Sequence, residues 1–88
     1  MAAIKLSTGI VIQSEHIQQV EYYPGGSLWI SSFVNGFEVL RDQDFLYIRT
    51  TTEARRITGR GAAEGADAIE QAGVRVYRRP MPAVLDVS

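Results

Sequence analysis

Asn35-Gly36 stands between two runs of β-branched and aromatic residues, in the stretch Leu28–Leu40, LWISSFVNGFEVL. A two-residue type I′ turn needs positive φ at both central positions, and Asn-Gly is the pair that adopts it most readily. The pair therefore predicts a β-hairpin and fixes its register. Val34 opposes Phe37, Ser32 opposes Val39, and Ile30 opposes Arg41. One face then reads Leu28, Ile30, Ser32, Val34, Phe37, Val39, and the other Trp29, Ser31, Phe33, Glu38, Leu40. The first is a core face. The second carries too much aromatic surface to face water without a covering partner.

The segments before and after extend this hairpin into a meander. Ile4–Leu6 and Ile10–Ile12 flank Ser7-Thr8-Gly9. A three-residue loop with Gly9 in the left-handed region places Ile4, Leu6, Ile10 and Ile12 on one face, whereas a two-residue turn would scatter them. Ser14-Glu15-His16-Ile17 reads as a single helical turn with Ser14 as its cap. A strand over Gln18–Tyr23 ends at the turn Pro24-Gly25-Gly26, and another covers Phe45–Arg49 after the polar turn Arg41–Asp44.

The pattern changes at Thr50. Thr50-Thr51-Thr52-Glu53 matches a capping box, which predicts a short helix through Ile57 that stops at Gly59. A second, alanine-rich helix over Gly61–Ala72 carries a stripe of small residues and ends at Gly73. Val74–Arg78 alternates and reads as a last strand, stopped by Pro80. The expected fold is α+β: an antiparallel meander of about five to seven short strands with one or two short helices on one face. It is expected as a single domain over 1–88, divided into a meander (1–49), a helical segment (50–73), a final strand (74–79) and a tail (80–88).

Charge is uneven along the chain. Residues 1–48 hold two cations against five acids, a net −3, and residues 49–88 hold seven arginines against five acids, a net +2. There is no cysteine, which favours a reducing compartment, and no apolar run of signal-peptide or membrane-spanning length. The expected location is the cytoplasm.

Chemistry-bearing constellations are sparse. His16 is the one histidine, so no zinc ligand set can be assembled around it. Asp42 and Asp44 read as turn formers. The glycines of Gly59–Gly65 lie at a helix start, where phosphate could bind, but they lack the preceding buried strand and the lysine of a phosphate loop. No acid, base and nucleophile converge, so the expectation is a non-enzymatic chain with no cofactor. Two interaction surfaces remain. Trp29, Phe33, Leu40 and Tyr47 are candidates for an interface with a second copy or a protein partner, with a homodimer expected. Arg55, Arg56, Arg60, Arg75, Arg78 and Arg79, beside Tyr77, are candidates for an anion or nucleic-acid patch. The mixed-sign alternative is that Glu53, Glu64, Asp67 and Glu70 pair with these arginines internally.

The spacing of Ile4-Lys5-Leu6, Gly9, Ile17, Val20-Glu21, Pro24, Leu28, Ile30 and Gly36 resembles the hairpin-meander start of small proteins encoded in flagellar gene clusters. The resemblance covers the first forty residues, rests on β-alternation and turn glycines, and ends before Thr50. It implies a meander and assigns no function.

Overall fold

The computed structural model describes residues 3–6, 9–25, 31–40 and 42–79. Eight strands and one α-helix lie within them: β1 (Ala3–Lys5), β2 (Val11–Gln13), a 3-10 turn (Ser14–His16), β3 (Ile17–Tyr23), β4 (Ser31–Val34), β5 (Phe37–Leu40), β6 (Phe45–Thr50), β7 (Ala54–Thr58), α1 (Arg60–Gln71) and β8 (Tyr77–Arg78). The fold is α+β. Strands are grouped into a four-stranded sheet in the order β7-β6-β3-β8 and two separate hairpins, β1-β2 and β4-β5.

Both hairpin registers follow the turn chemistry. Asn35 and Gly36 have φ of 52° and 87°, and the ladder pairs Val34 with Phe37 and Ser32 with Val39. At the first hairpin Ile4 pairs with Ile12 and Gly9 has φ 88°. Leu6 donates to Ile10 O at 2.8 Å, which closes the three-residue loop and buries Ile4, Leu6 and Ile12 together. In the 3-10 turn the cap position is Gln13 rather than Ser14.

The main correction lies after Thr50. Thr50–Glu53 does form the hydrogen bonds of a cap, because Glu53 N donates to Thr50 Oγ1 at 3.2 Å. It closes a β-hairpin instead of opening a helix. Thr50 N donates to Glu53 O at 2.8 Å, and the Glu53 carboxylate turns to Arg55. The expected helical turns are β7, paired with β6 so that Ile57 faces Leu46 and is buried. A helix of about seven residues is marginal on its own, whereas a strand here satisfies its backbone against β6 and buries Ile57. Gly59, at φ 78°, then separates β7 from α1, so of the one or two helices expected α1 is the one present among the described residues.

That helix explains the last strand. It crosses one sheet face, touching β7, β6, β3 and β1, and returns the chain to the far edge beside β3. A crossover of this kind delivers a parallel strand, and β8 pairs parallel with β3, Glu21 with Tyr77 and Tyr22 with Arg78. The ladder covers only Tyr77–Arg78 of the expected 74–79. Gly73 ends α1 as expected, with φ 91° and Val74 N donating to Ile69 O at 3.2 Å.

Each face of the central sheet has its own core. Val20, Tyr22, Leu46, Ile48 and Ile57 pack under α1 and the β1-β2 hairpin, with Ala62, Ala66 and Ile69 from the helix and Ile4, Leu6 and Ile12 from the hairpin. On the opposite face Tyr23, Phe45 and Tyr47 pack under the β4-β5 hairpin through Val34 and Val39, with Phe37 beside them. The small-residue stripe of α1 permits a close approach. A Cβ on Gly65 would fall 2.9 Å from a Leu46 methyl carbon, and Leu46 is itself fully buried. Gly65→Ala should therefore gain about 1 kcal/mol of helix propensity and lose ~1–3 kcal/mol to overpacking. The net expectation is a loss of about 1 kcal/mol for alanine and clearly more for valine, read by urea denaturation. A more stable alanine variant would show that Leu46 moves aside freely.

Candidate functional site

The most constrained polar group in the chain is the Glu21 carboxylate. Strand alternation puts Gln19, Glu21 and Tyr23 on the β4-β5 side of the sheet. There Glu21 is only 6% exposed. The Tyr23 hydroxyl donates to Oε1 at 2.6 Å, Asn35 Nδ2 donates to the same oxygen at 2.9 Å, and Gln19 Nε2 donates to Oε2. The Arg79 guanidinium lies 3.3 Å from Oε2. Burial alone would raise this carboxyl, but the donors from Tyr23, Asn35 and Gln19 and the charge of Arg79 outweigh it, and the group is held below its ordinary value. Tyr23 is driven the other way, up to about 12, by burial and by the carboxylate it serves. One carboxylate thus ties together β3, the β4-β5 turn and the segment after β8. Four partners thus converge on the two carboxylate oxygens, an arrangement that suits a clasp.

The candidate interface residues divide. Phe33 is 72% exposed and Leu40 42% exposed. The register sets Phe33 opposite Glu38 and Ser31 opposite Leu40, so Phe33 and Leu40 are diagonal neighbours on the outer face of the hairpin. Tyr47 is different. It is buried by Phe37 from the hairpin, with ring centroids 6.2 Å apart, and belongs to the chain's own core. The hairpin turned its Val34 and Val39 side toward Tyr47, which supplies the cover expected of a partner. Trp29 lies outside the described residues, as do Leu28, Ile30, Arg41 and the tail 80–88.

The arginines do not form one patch. Arg55 and Arg56 are on β7 at one edge of the sheet, Arg78 is on β8 and Arg79 follows it at the other edge, and Arg60 opens α1. Arg55 Nε donates to Glu53 at 2.8 Å. Arg56 donates to the Glu38 carbonyl at 2.9 Å and lies over the Phe37 ring. Arg78 bridges Asp67 and Glu70 of α1, at 3.1 and 2.7 Å, and stacks on Tyr22. Glu70 is held below, and Arg78 above, its ordinary value by this mutual hydrogen bond. Arg75 and Arg79 instead place their guanidiniums over the Tyr77 ring, 4.9 and 5.4 Å from its centroid.

The remaining constellations are structural. Asp44 Oδ1 accepts from Gly25 N at 2.7 Å and so joins two turns. His16 sits in the exposed 3-10 turn. Among the described residues no cluster of His, Cys, Asp or Glu could hold a metal ion. An open groove of about 520 Å³ runs beside the Thr50–Glu53 turn, lined by Gln18, Tyr47, Arg49, Ala54 and the turn itself. A smaller one of about 150 Å³ lies on the other side of the turn, against Val11, His16 and Arg55. No described helix is long and apolar enough to cross a membrane. Sequence reasoning missed the Glu21 cluster; three residues with polar tips at i, i+2 and i+4 of one strand were the available signal. Comparison of the chain with protein-family models, with curated proteins and with solved structures returned no match.

Proposed function

We propose that this chain is a non-enzymatic association module, and that its partner is a second copy joined through the outer edge of β4. The observation that carries the reading is Phe33, 72% exposed on a strand whose outer side has no ladder partner among the described residues. In a two-residue hairpin the Val34–Phe37 pair closes by hydrogen bonds, so the backbone groups of Phe33 and Glu38 point away from each other. On the β5 side the Glu38 carbonyl is taken by Arg56. On the β4 side nothing comparable blocks approach among the described residues. The run Leu28–Val34 contains no charge and no proline, the devices by which edge strands normally resist pairing.

A second copy fits this edge because an antiparallel strand pair is its own two-fold mate, the symmetry of most homodimers. Phe33 and Leu40 of both copies would then share one outer face. Their area is far short of the ~800 Å² per partner of a stable interface, so backbone pairing supplies the remainder and the dimer is of the weak, concentration-dependent class. Sedimentation velocity across a wide concentration range should show a monomer–dimer shift. Phe33→Lys should abolish that shift and leave the thermal midpoint within about 2 °C of the parent, because an exposed side chain contributes little to the fold. A parent chain that sediments as a monomer at millimolar concentration would remove the proposal.

A further inference from the structure

We propose that the end of the central sheet left open by the β4-β5 hairpin binds single-stranded nucleic acid, with Tyr77 and its stacked guanidiniums receiving a base and Arg49 and Arg75 receiving phosphates. The site is independent of the association edge. The ladder pairs Arg49 with Gln19 and Glu21 with Tyr77, which places these residues on one sheet face in adjacent rows. The hairpin packs on Phe45, Tyr47 and Tyr23. It does not cover Arg49, Arg75 or Tyr77, all of which are exposed.

Pairing decides which arginines are available. Arg55 and Arg78 are neutralised by carboxylates, and Arg56 is spent on the hairpin. Among the described residues Arg49 and Arg75 have no carboxylate partner, and Arg79 shares only the buried Glu21. Neighbouring strands are ~4.8 Å apart, so Arg49, Gln19 and the Arg75–Tyr77–Arg79 stack lie within reach of one short strand. Stacking on an aromatic ring or on a guanidinium plane is how unpaired bases are held, and it is insensitive to sequence. A duplex would not present its bases to such a surface.

The test is fluorescence anisotropy of labelled ten-nucleotide oligo-uridine and oligo-thymidine with the full chain. Two phosphate-binding arginines on a single strand give a slope of log K against log salt of about −1.4, or an approximately 7-fold weakening between 50 and 200 mM salt. Tyr77→Ala should weaken binding about tenfold and Tyr77→Phe should restore it. Arg49→Ala should make the slope shallower by about 0.7, and Arg55→Ala should change nothing. If Tyr77→Ala proves unfolded by circular dichroism, the Arg49 slope decides. Absence of binding, an unchanged slope in Arg49→Ala, or equal competition by a heparin oligosaccharide would overturn the proposal.

Discussion

Replacing Gly25 with alanine is expected to lower the unfolding free energy by about 3 kcal/mol, at the upper end of what a single added methyl does. The cause is space. An ideal Cβ on Gly25 would stand 2.7 Å from the Gln43 carbonyl carbon and 3.0 Å from both Asp44 N and Gln43 O. These are backbone atoms, which cannot swing aside as a side chain can. The approach is fixed from the other side as well, since Gly25 N donates to Asp44 Oδ1 at 2.7 Å. For a chain of this size about 3 kcal/mol corresponds to roughly 12–24 °C in the thermal midpoint. Gly36→Ala provides the contrast. Its φ of 87° is left-handed, yet a Cβ there meets nothing within 4 Å, so its cost is conformational and about 1 kcal/mol. Asp44→Ala should lose about 1–2 kcal/mol through the unpartnered amide, and Asp44→Asn should recover most of it. A Gly25→Ala chain that melts within a few degrees of the parent would mean that the two turns are not packed as described.

The turns were legible because their chemistry is local. Asn35-Gly36 and Gly9 dictate φ, φ dictates register, and register dictates which apolar residues meet. Gly73 ends the helix for the same kind of reason. Thr50–Glu53 was misread because the same side-chain-to-backbone bonds serve a helix start and a β-turn, and only the burial of Ile57 against Leu46 distinguishes the two. Tyr47 was read as a candidate interface residue because its cover comes from a hairpin that returns over the sheet. The arginine pairs of Arg78 with Asp67 and Glu70 depend on where α1 crosses, a tertiary fact without a sequence period. Glu21 was hidden for a further reason. Its partners Asn35 and Arg79 lie 14 and 58 positions away, and Asn35 already had a sufficient local role in the turn.

Glu21→Ala is the second large effect, with an expected loss of about 3 kcal/mol. Removing the carboxylate strands a buried phenol, an amide from the hairpin turn and a guanidinium at once, and deleting one member of a buried charged network costs more than the network's net contribution. Glu21→Gln keeps one acceptor and removes the charge, so it isolates the electrostatic part. The ionisable groups facing Glu21 are Tyr23 from its own strand and Arg79, with Tyr47 and Tyr77 its register neighbours on β6 and β8. Phenols and guanidiniums as classes ionise far above the interval from pH 3 to 7. In that interval the folded carboxyl titrates below the ordinary 4.5 of the unfolded chain. The stabilisation is therefore complete above about 4.5 and is lost as pH falls through the lower folded value. Denaturation midpoints measured from pH 7 to 3 should fall more steeply for the parent than for Glu21→Gln. Glu70, whose value is also lowered, contributes equally to both curves and cancels in their difference. At the alkaline end Tyr23 reverses the sign. Its folded value of about 12 exceeds the ordinary 10.0, so its contribution is complete below 10 and disappears as pH rises through 12, and Tyr23→Phe should flatten that limb. Parallel acid curves for the parent and Glu21→Gln would show that the carboxylate does not hold the hairpin to the sheet.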